Sequence, residues 1–201
     1  MDTDLLLNNI KKYVQLSVRD EQEILASITP RNFKKGQFIN SEGEINRYTN
    51  FITSGSARVY YIDMKGQEHV VQLGIRDWWI SDYSSFTMQE PGLLYCEALE
   101  HTQLLSISHD DLNLLFDKTP IMERFYRLQI QKAYSSYQKR VLQAMSLDAE
   151  QRYLTFRNTY PLMDQQIAQK DIASYLGMSA EFLSKIKKRL VLKAQNKFYP
   201  E

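Results

Sequence analysis

The sequence predicts an α+β fold in which a β-roll or jelly roll is followed by a long helix and a C-terminal helix-turn-helix. Three observations lead to this prediction. Short strand-like segments, separated by turn signals at intervals of roughly 8 to 12 residues, occupy most of the chain from Pro30 to Ile107. A helical period then extends from Pro120 to about Met145. Two short helical patterns finally meet at a tight corner around Gly177.

Composition is that of an ordinary water-soluble protein and excludes several classes. The 201 residues are 43% hydrophobic and 24% charged, no run of about 18 apolar residues occurs, and the start, MDTDLLLNNIKK, lacks the features of a signal peptide. A cytoplasmic location without membrane association is expected. Cys96 is alone and His69, His101 and His109 are scattered, so neither a disulfide nor a metal site is expected. We expect a protein that is not an enzyme and has no cofactor or catalytic residues.

The N-terminal half is predicted to contain two helices and then the strands. Residues 4–28 have a helical pattern with a break near Ser17, and the acidic residues that begin the second helix suit the positive end of its dipole. From Pro30 the pattern becomes extended, and Asp63-Met64-Lys65-Gly66 predicts a hairpin turn. Strands are predicted at 48–53, 57–62, 68–73, 94–99 and 103–107.

The long helix is predicted to use two different apolar faces. Its first half carries Ile121, Phe125 and Leu128, which suit packing against the β-roll of the same chain. Its second half carries a short seam spaced alternately by four and three residues, as in coiled coils, which predicts a homodimer interface. This seam consists of Ile130, Tyr134, Tyr137, Val141 and Ala144. Shorter helices are predicted on either side, at 110–116 and at 148–160, where Pro161 ends the second one.

The stretch from Gln169 to Leu190 is predicted to form the helix-turn-helix. Gly177 can end the first helix in a left-handed conformation, and the hydroxyl of Ser179 can cap the second helix. A unit of this size fits the DNA major groove, although helical hairpins without any DNA contact have the same pattern. The helical period predicts that Phe182, Leu183, Ile186 and Leu190 pack inward, opposite Ala180, Glu181, Ser184, Lys185 and Lys188.

The charge distribution favours nucleic-acid binding by this C-terminal part. The whole chain has a net charge of +1, but residues 165–201 contain seven Lys/Arg and three Asp/Glu, a net charge of +4. A basic region of this kind is what binding to DNA phosphates requires. We therefore predict a DNA-binding surface formed by Lys170, Ser179, Ala180, Glu181, Ser184, Lys185, Lys188 and Arg189.

Four segments, in this order, resemble the CRP/FNR family of bacterial transcription regulators: KKGQFINSEGE, FITSGSARVY, EALEHTQLLSIS and QKDIASYLGMSAEFLSKIKKRL. The resemblance covers nearly the whole chain. It implies a cyclic-nucleotide-binding-like β-roll at 1–118, a dimerisation helix at 119–146 and a helix-turn-helix domain at 147–201. It also implies a homodimer on double-stranded DNA, with one recognition helix per half-site and RNA polymerase as a candidate partner. Glu181 matches a base-reading position of the family.

The sequence departs from the family pattern where an effector would bind. Members that bind cyclic AMP present Gly-Glu and, about ten residues later, Arg-Ser or Arg-Thr, whereas Ser81-Asp82 and Gly92-Leu93 stand near these places. Because the arginine is missing, an anionic phosphate would be buried unpaired, and no response to cyclic AMP or cyclic GMP is expected. The pocket of an unidentified, less polar effector is predicted to involve Trp79, Ser81, Asp82, Tyr83, Gly92 and Leu93.

Two further departures concern cysteines and the C-terminus. The cysteines of FNR-type members are absent, and the residues after Leu190 are barely enough for the family's β-hairpin wing. Two other functions are compatible with the sequence. One is a sensory or partner-binding β-roll without sequence-specific DNA binding. The other is a cupin-like metalloenzyme. Such an enzyme needs metal ligands clustered on neighbouring strands, but only His69 lies in the middle of a predicted strand.

Overall fold

The computed structural model describes residues 2–198 of the chain, with side chains up to residue 193. Two helices come first, a series of strands with one short helix follows, and six helices complete the described part. The helices are α1 (Thr3–Lys11), α2 (Val18–Ala26), α3 (Tyr83–Met88), α4 (His109–Lys118), α5 (Ile121–Ser146), α6 (Ala149–Thr159), α7 (Pro161–Gln166), α8 (Gln169–Tyr175) and α9 (Ala180–Phe198). The strands are β1 (Ile28–Phe33), β2 (Phe38–Asn40), β3 (Tyr48–Ser54), β4 (Ser56–Ile62), β5 (Glu68–Ile75), β6 (Trp79–Ile80), β7 (Tyr95–Ala98) and β8 (Thr102–Ser108).

The strands form two four-stranded antiparallel sheets that face each other as a β-roll. Their strand orders are β1-β8-β3-β6 and β2-β7-β4-β5. Each of the five strands predicted after residue 48 is present, with bounds within two residues of the prediction. The α+β class and the β-roll are thus confirmed.

Alternating side chains of the first sheet belong to two different cores. In β8, Leu104 lies inside the roll with Ile52 and Cys96, whereas Leu105 and Ile107 pack outward against α1, α4 and α5. This division follows from the two-residue period of a strand. The N-terminal helices and the start of α5 therefore cover the outside of the first sheet.

The structure differs from the sequence prediction in several short elements. The predicted break near Ser17 is confirmed, since Ser17 caps α2 together with Asp20, but α2 ends at Ala26 and β1 begins before Pro30. Neither β6 nor α3 was predicted, because two and six residues are too few to display a period. Pro161 does follow α6, as predicted, but it also begins α7, where its missing N–H costs nothing.

The long helix α5 has one buried half and one exposed half. Phe125 of the predicted inward stripe is fully buried, together with Met122, in the core below the first sheet. From residue 131 onward the side chains are mostly exposed in the single chain. The predicted change of packing along this helix is therefore present.

A second cluster, which we call the junction core, joins the outer face of the second sheet to the C-terminal helices. The sheet contributes Tyr60, Val70, Leu73 and Ile75, and the helices contribute Tyr153, Phe156, Met163, Ile167, Ile172, Ala173, Leu176, Leu183 and Ile186. The C-terminal helices thus complete their core on the β-roll. Among residues 2–198, no helix combines the length and the apolarity needed to cross a membrane.

Candidate nucleic-acid interface and effector pocket

Helices α8 and α9 meet at the predicted corner. Gly177 has φ +68°, the left-handed conformation that ends α8 at low cost. The hydroxyl oxygen of Ser179 accepts a hydrogen bond from the Phe182 N–H at 3.2 Å and so caps α9. The side-chain amide of Gln169 donates to the carbonyl of Ala180 at 2.9 Å, which fixes the start of α9 against α8.

The inward face of α9 is narrower than the sequence predicts. Leu183 and Ile186 are fully buried and Leu190 is partly buried, but Phe182 leaves 45% of its surface exposed. Phe182 lies at the edge of the apolar arc, where the helix surface turns towards solvent. The prediction that Phe182 packs inward is therefore wrong.

The opposite face of α9 exposes Glu181, Lys185 and Lys188, and Lys170 is exposed on α8. Hydrogen bonds with its own backbone N–H and with Ser179 lower the pKa of Glu181, so its carboxylate is ionised at neutral pH. Ser179 is exposed, whereas Ala180 and Ser184 are only partly exposed, and Ala180 touches the junction core.

The cations of α9 divide into bound and free groups. Arg189 and Lys193 hold Glu150 of α6 at 3.1 and 2.7 Å, and Lys187 holds Asp164 at 3.1 Å. Within the described side chains, Lys185 and Lys188 have no acidic partner inside 4 Å. Arg189 thus differs from the predicted contact residues Lys185 and Lys188, because it is held in an ion pair. Its partner Glu150 was missed, because no local pattern connects two residues so far apart in sequence.

The second half of α5 presents the predicted seam on its surface. Tyr134 and Tyr137 leave 61% and 56% of their surface exposed, Val141 and Ala144 are exposed, and Ile130 is partly buried. Two further exposed apolar residues, Leu142 and Met145, were not predicted. A solvent-facing apolar strip on one helix is what a helical partner requires.

The two ends of the predicted effector cassette, Asp82 and Gly92, lie directly against each other. A Cβ on Gly92 would lie 2.2 Å from Oδ2 of Asp82, so only glycine fits beside this carboxylate. Asp82 is 1% exposed, and its Oδ1 accepts the Ser85 N–H at 3.3 Å and caps α3. Its Oδ2 has no partner, and no cation of the described residues lies within 4 Å of it. Asn46 holds the same turn through Ser81, at 2.7 Å from its hydroxyl.

The structure does not gather the other predicted pocket residues around Asp82. Trp79 packs against Phe51, Phe125 and Tyr126 below the first sheet, and its indole N–H donates to Asn9. Leu93 leaves 67% of its surface exposed. Tyr83 lines an open groove of about 450 Å³ between α3, α4 and α5. The sequence predicted one pocket, but Trp79, Tyr83 and Leu93 point to three different surroundings.

Two arginines of the β-roll form ion pairs away from Asp82, and a third lies on β1, at the edge of the first sheet. Arg76 pairs with Asp2 on the surface, and Arg58 is bound to three carboxylates at the junction with α8. Arg31 of β1, which the sequence analysis missed, shares a sheet face with its register partner Leu104. Its guanidinium lies over the rings of Phe33 and Tyr48, at 4.9 and 4.6 Å, and burial lowers its pKa.

No metal centre emerges from the described residues, which contain no cluster of three or more His, Cys, Asp or Glu side chains suited to a metal ion. His69 instead lies beside Asp63 of the hairpin, at 2.9 Å. Cys96 is fully buried inside the roll, and burial raises its pKa.

Comparison with known proteins agrees with this architecture. Residues 30–119 match the protein family described as "Cyclic nucleotide-binding domain". No curated protein sequence matches the chain. Among solved structures, the "c-di-GMP Responsive Global Regulator CLP" of Xanthomonas campestris is similar with a TM-score of 0.69 at 16% identity, over 89% of this chain and 93% of CLP.

Two other solved structures have comparable folds. FixK2 from Bradyrhizobium japonicum has a TM-score of 0.70 at 17% identity, over 83% of this chain and 86% of FixK2. The catabolite activator protein of Thermus thermophilus has a TM-score of 0.56 at 18% identity, over 92% of this chain and 88% of that protein. The chain therefore has a β-roll of the cyclic-nucleotide-binding type within a fold like that of CRP/FNR regulators.

Proposed function

We propose that the protein is a dimeric DNA-binding transcription regulator of the CRP/FNR type, located in the cytoplasm and not an enzyme. The observation that carries this proposal is the exposed face at the start of α9. There Lys185 and Lys188 lie near Glu181 and form no ion pair with any acidic side chain that the structure describes. The opposite face of the same helix is anchored through Leu183 and Ile186. A rigidly held helix with free cations on its outer face is suited to the major groove.

Each contact residue has a distinct role in this proposal. Lys170, Lys185 and Lys188 neutralise phosphates, and the carboxylate of Glu181 accepts hydrogen bonds from base edges such as the amino group of cytosine. Ser179, Ala180 and Ser184 lie along the same edge of α9 and allow close approach to the backbone or the bases. Arg189 contributes only if DNA phosphate replaces Glu150 as its partner.

The seam on α5 is proposed to pair two copies of the chain. The three-part division into 1–118, 119–146 and 147–201 then assigns the β-roll to sensing, α5 to dimerisation and the last part to DNA. A homodimer would sediment at about twice the chain mass of 23.7 kDa. A species of only 23.7 kDa at micromolar concentration would contradict this part of the proposal.

We propose no control by cyclic AMP or cyclic GMP, because the cassette presents the buried carboxylate of Asp82 where a phosphate would need a cation. An unidentified effector and a contact with RNA polymerase remain compatible with this role. The alternative of a partner-binding β-roll without DNA binding is not favoured, because regulators provide the fold neighbours.

A mobility-shift assay on duplex DNA at several salt concentrations tests the DNA-binding proposal. We expect steep salt dependence, since phosphate contacts release counterions. Lys188→Ala should weaken binding to all sequences, by about tenfold, and Glu181→Ala should reduce discrimination between sequences. Lys118→Ala, on the far side of the β-roll, is the matched control and should bind as the wild type does. Normal binding by both α9 variants, with normal folding, would contradict the proposal.

A further inference from the structure

Arg58 of β4 connects the β-roll to α8 through a partly buried ion network. Its Nη1 donates to Asp171 Oδ1 at 2.8 Å and also to Glu68, while its Nε and Nη2 donate to Glu97 Oε2 at 3.1 and 2.8 Å. Arg58 and Asp171 are 5% and 1% exposed. Burial favours loss of the proton, but the bonds to Glu68 and Glu97 and the charge of Asp171 raise the pKa of Arg58, so the guanidinium stays charged.

Two further contacts hold the same helix. The Oγ of Ser174 accepts the Val70 N–H and donates to the Glu68 carbonyl, both at 2.9 Å, so α8 takes part in the hydrogen bonding of β5. From the other side, the guanidinium of Arg140 on α5 lies 4.5 Å from the ring centre of Tyr175. Helix α8 is therefore fixed both to the β-roll and to the helix that carries the dimer seam.

The ion pair fixes geometry more than it adds stability. Asp171 Oδ2 has no hydrogen-bond partner among the described residues, and burial raises the pKa of this carboxyl against the opposing effect of Arg58. Buried ion pairs often contribute little net stability because desolvation offsets their attraction, whereas they can select one arrangement among several. Apolar burial is not directional, whereas the hydrogen bond from Arg58 to Asp171 fixes an orientation of α8.

We infer that Arg58 is a positioning residue for DNA binding: through Asp171 it fixes α8, and with it the contact face of α9, at one angle to the dimer helix α5. This inference rests on the proposed function. In the docked arrangement Glu181, Lys185 and Lys188 remain exposed, so docking leaves the contact face available. In a dimer, one fixed angle means one separation between the two contact faces, and hence one preferred half-site spacing.

The test measures how strongly DNA affinity depends on half-site spacing. A duplex is first selected from a random library with the wild-type protein, and a second duplex is made with the half-sites about five base pairs further apart, half a helical turn. We expect the wild-type protein to lose about 100-fold in affinity on the second duplex, because only one half-site can be contacted. Thermal unfolding is recorded for every protein used.

The variant Asp171→Ala/Ser174→Ala removes both polar links while leaving Arg58 paired with Glu68 and Glu97, so no uncompensated charge is created. We expect it to bind the selected duplex about tenfold more weakly and to lose less than about tenfold between the two spacings. Arg58→Lys should be intermediate, because an ammonium cannot hold three carboxylates with a planar fork. Lys11→Ala, which breaks a pair with Glu21 among the N-terminal helices, is the control and should keep the wild-type ratio.

The outcomes separate the two proposals. If the wild-type protein selects no duplex, the proposed function fails. If it selects one and the double variant keeps the wild-type spacing ratio, the inference about Arg58 is wrong. Tighter DNA binding by the double variant would also overturn the inference, since the docking of α8 on the β-roll would then oppose DNA binding. An equal loss of spacing preference in Lys11→Ala would overturn it as well.

Discussion

Two buried aspartates, in the effector cassette and at the junction with α8, are surrounded very differently by the same β-roll. Asp82 and Asp171 are each 1% exposed, and each has one carboxylate oxygen without a partner. Asp171 is held by Arg58 at 2.8 Å, whereas Asp82 only caps the six-residue helix α3. The buried arginine of this β-roll thus serves the contact with the C-terminal helices and not the capture of an anion in the cassette.

The contrast between the two aspartates predicts that removing Arg58, the cation at the junction, causes the largest loss of stability. Arg58→Met leaves the buried Asp171 and the partly buried Glu97 without their partner, and we expect the free energy of unfolding to fall by about 3 to 5 kcal/mol. Urea unfolding followed by circular dichroism measures this change. Arg76→Met, which breaks an exposed pair with Asp2, is the matched control and should cost at most about 1 kcal/mol. Equal costs for the two variants would mean that burial at the junction does not matter.

We expect side-chain volume to determine stability at the cassette, whereas charge determines it at the junction. Gly92→Ala places a Cβ on the carboxylate of Asp82, and we expect a loss of about 1 to 3 kcal/mol in unfolding free energy. Asp82→Ser shortens the side chain but keeps a group that can cap α3, so the double variant should recover most of that loss. Leu93→Ala, on the adjacent exposed residue, should change the unfolding free energy by less than about 0.5 kcal/mol. Additive costs in the double variant would contradict the contact.

A smaller effect is expected for the dependence of stability on pH. The pKa of Asp171 is raised by burial in the folded state, so its contribution to stability is present at low pH and is lost as the pH rises through the raised pKa. Relative to Asp171→Asn, which cannot ionise, the wild-type protein should therefore lose unfolding free energy from pH 3.8, the ordinary pKa of this group, towards neutrality. Urea unfolding of both proteins across this range measures the difference. If the difference in unfolding free energy between the two proteins does not change with pH, Arg58 fully compensates the buried charge of Asp171.

The sequence predicts the β-roll well because most of its strands are specified locally. The hairpin at 63–66 is visible in four neighbouring residues, and the strands on either side of it are equally local. The long helix is equally visible, since its two apolar faces each repeat at helical spacing. Features that depend on a few residues, such as β6 and α3, leave no such pattern.

The site was less predictable because its contacts join distant parts of the chain. Arg58 and Asp171 are 113 residues apart, and Arg189 and Glu150 are 39 residues apart, so neither pairing follows from local spacing. Charge alone predicted a DNA contact for Arg189. Exposure of Phe182 was missed for a related reason, because a helical wheel gives the direction of a side chain but not the width of the surface that covers it.

The smallest expected effect is an absent one: cyclic AMP and cyclic GMP should give no binding heat in calorimetric titration. Pairing Asp82 with a phosphate would place two negative charges side by side in a buried site, and two arginines of the β-roll, Arg58 and Arg76, are held by carboxylates. The titration uses the full chain at concentrations that would detect micromolar affinity. A second titration with Asp82→Asn separates charge repulsion from shape, since it removes the negative charge at nearly constant volume.

Micromolar binding of either nucleotide by the wild-type protein would contradict this prediction, and Arg31 would then be the cation to examine. It is partly buried, it lies on the same sheet face as Leu104, and it forms no ion pair within 4 Å among the described residues. Arg31→Ala should abolish such binding if its guanidinium holds the phosphate. If Arg31→Ala binds as tightly as the wild-type protein, another cation of the chain must hold the phosphate, and the role given to Arg31 would be wrong.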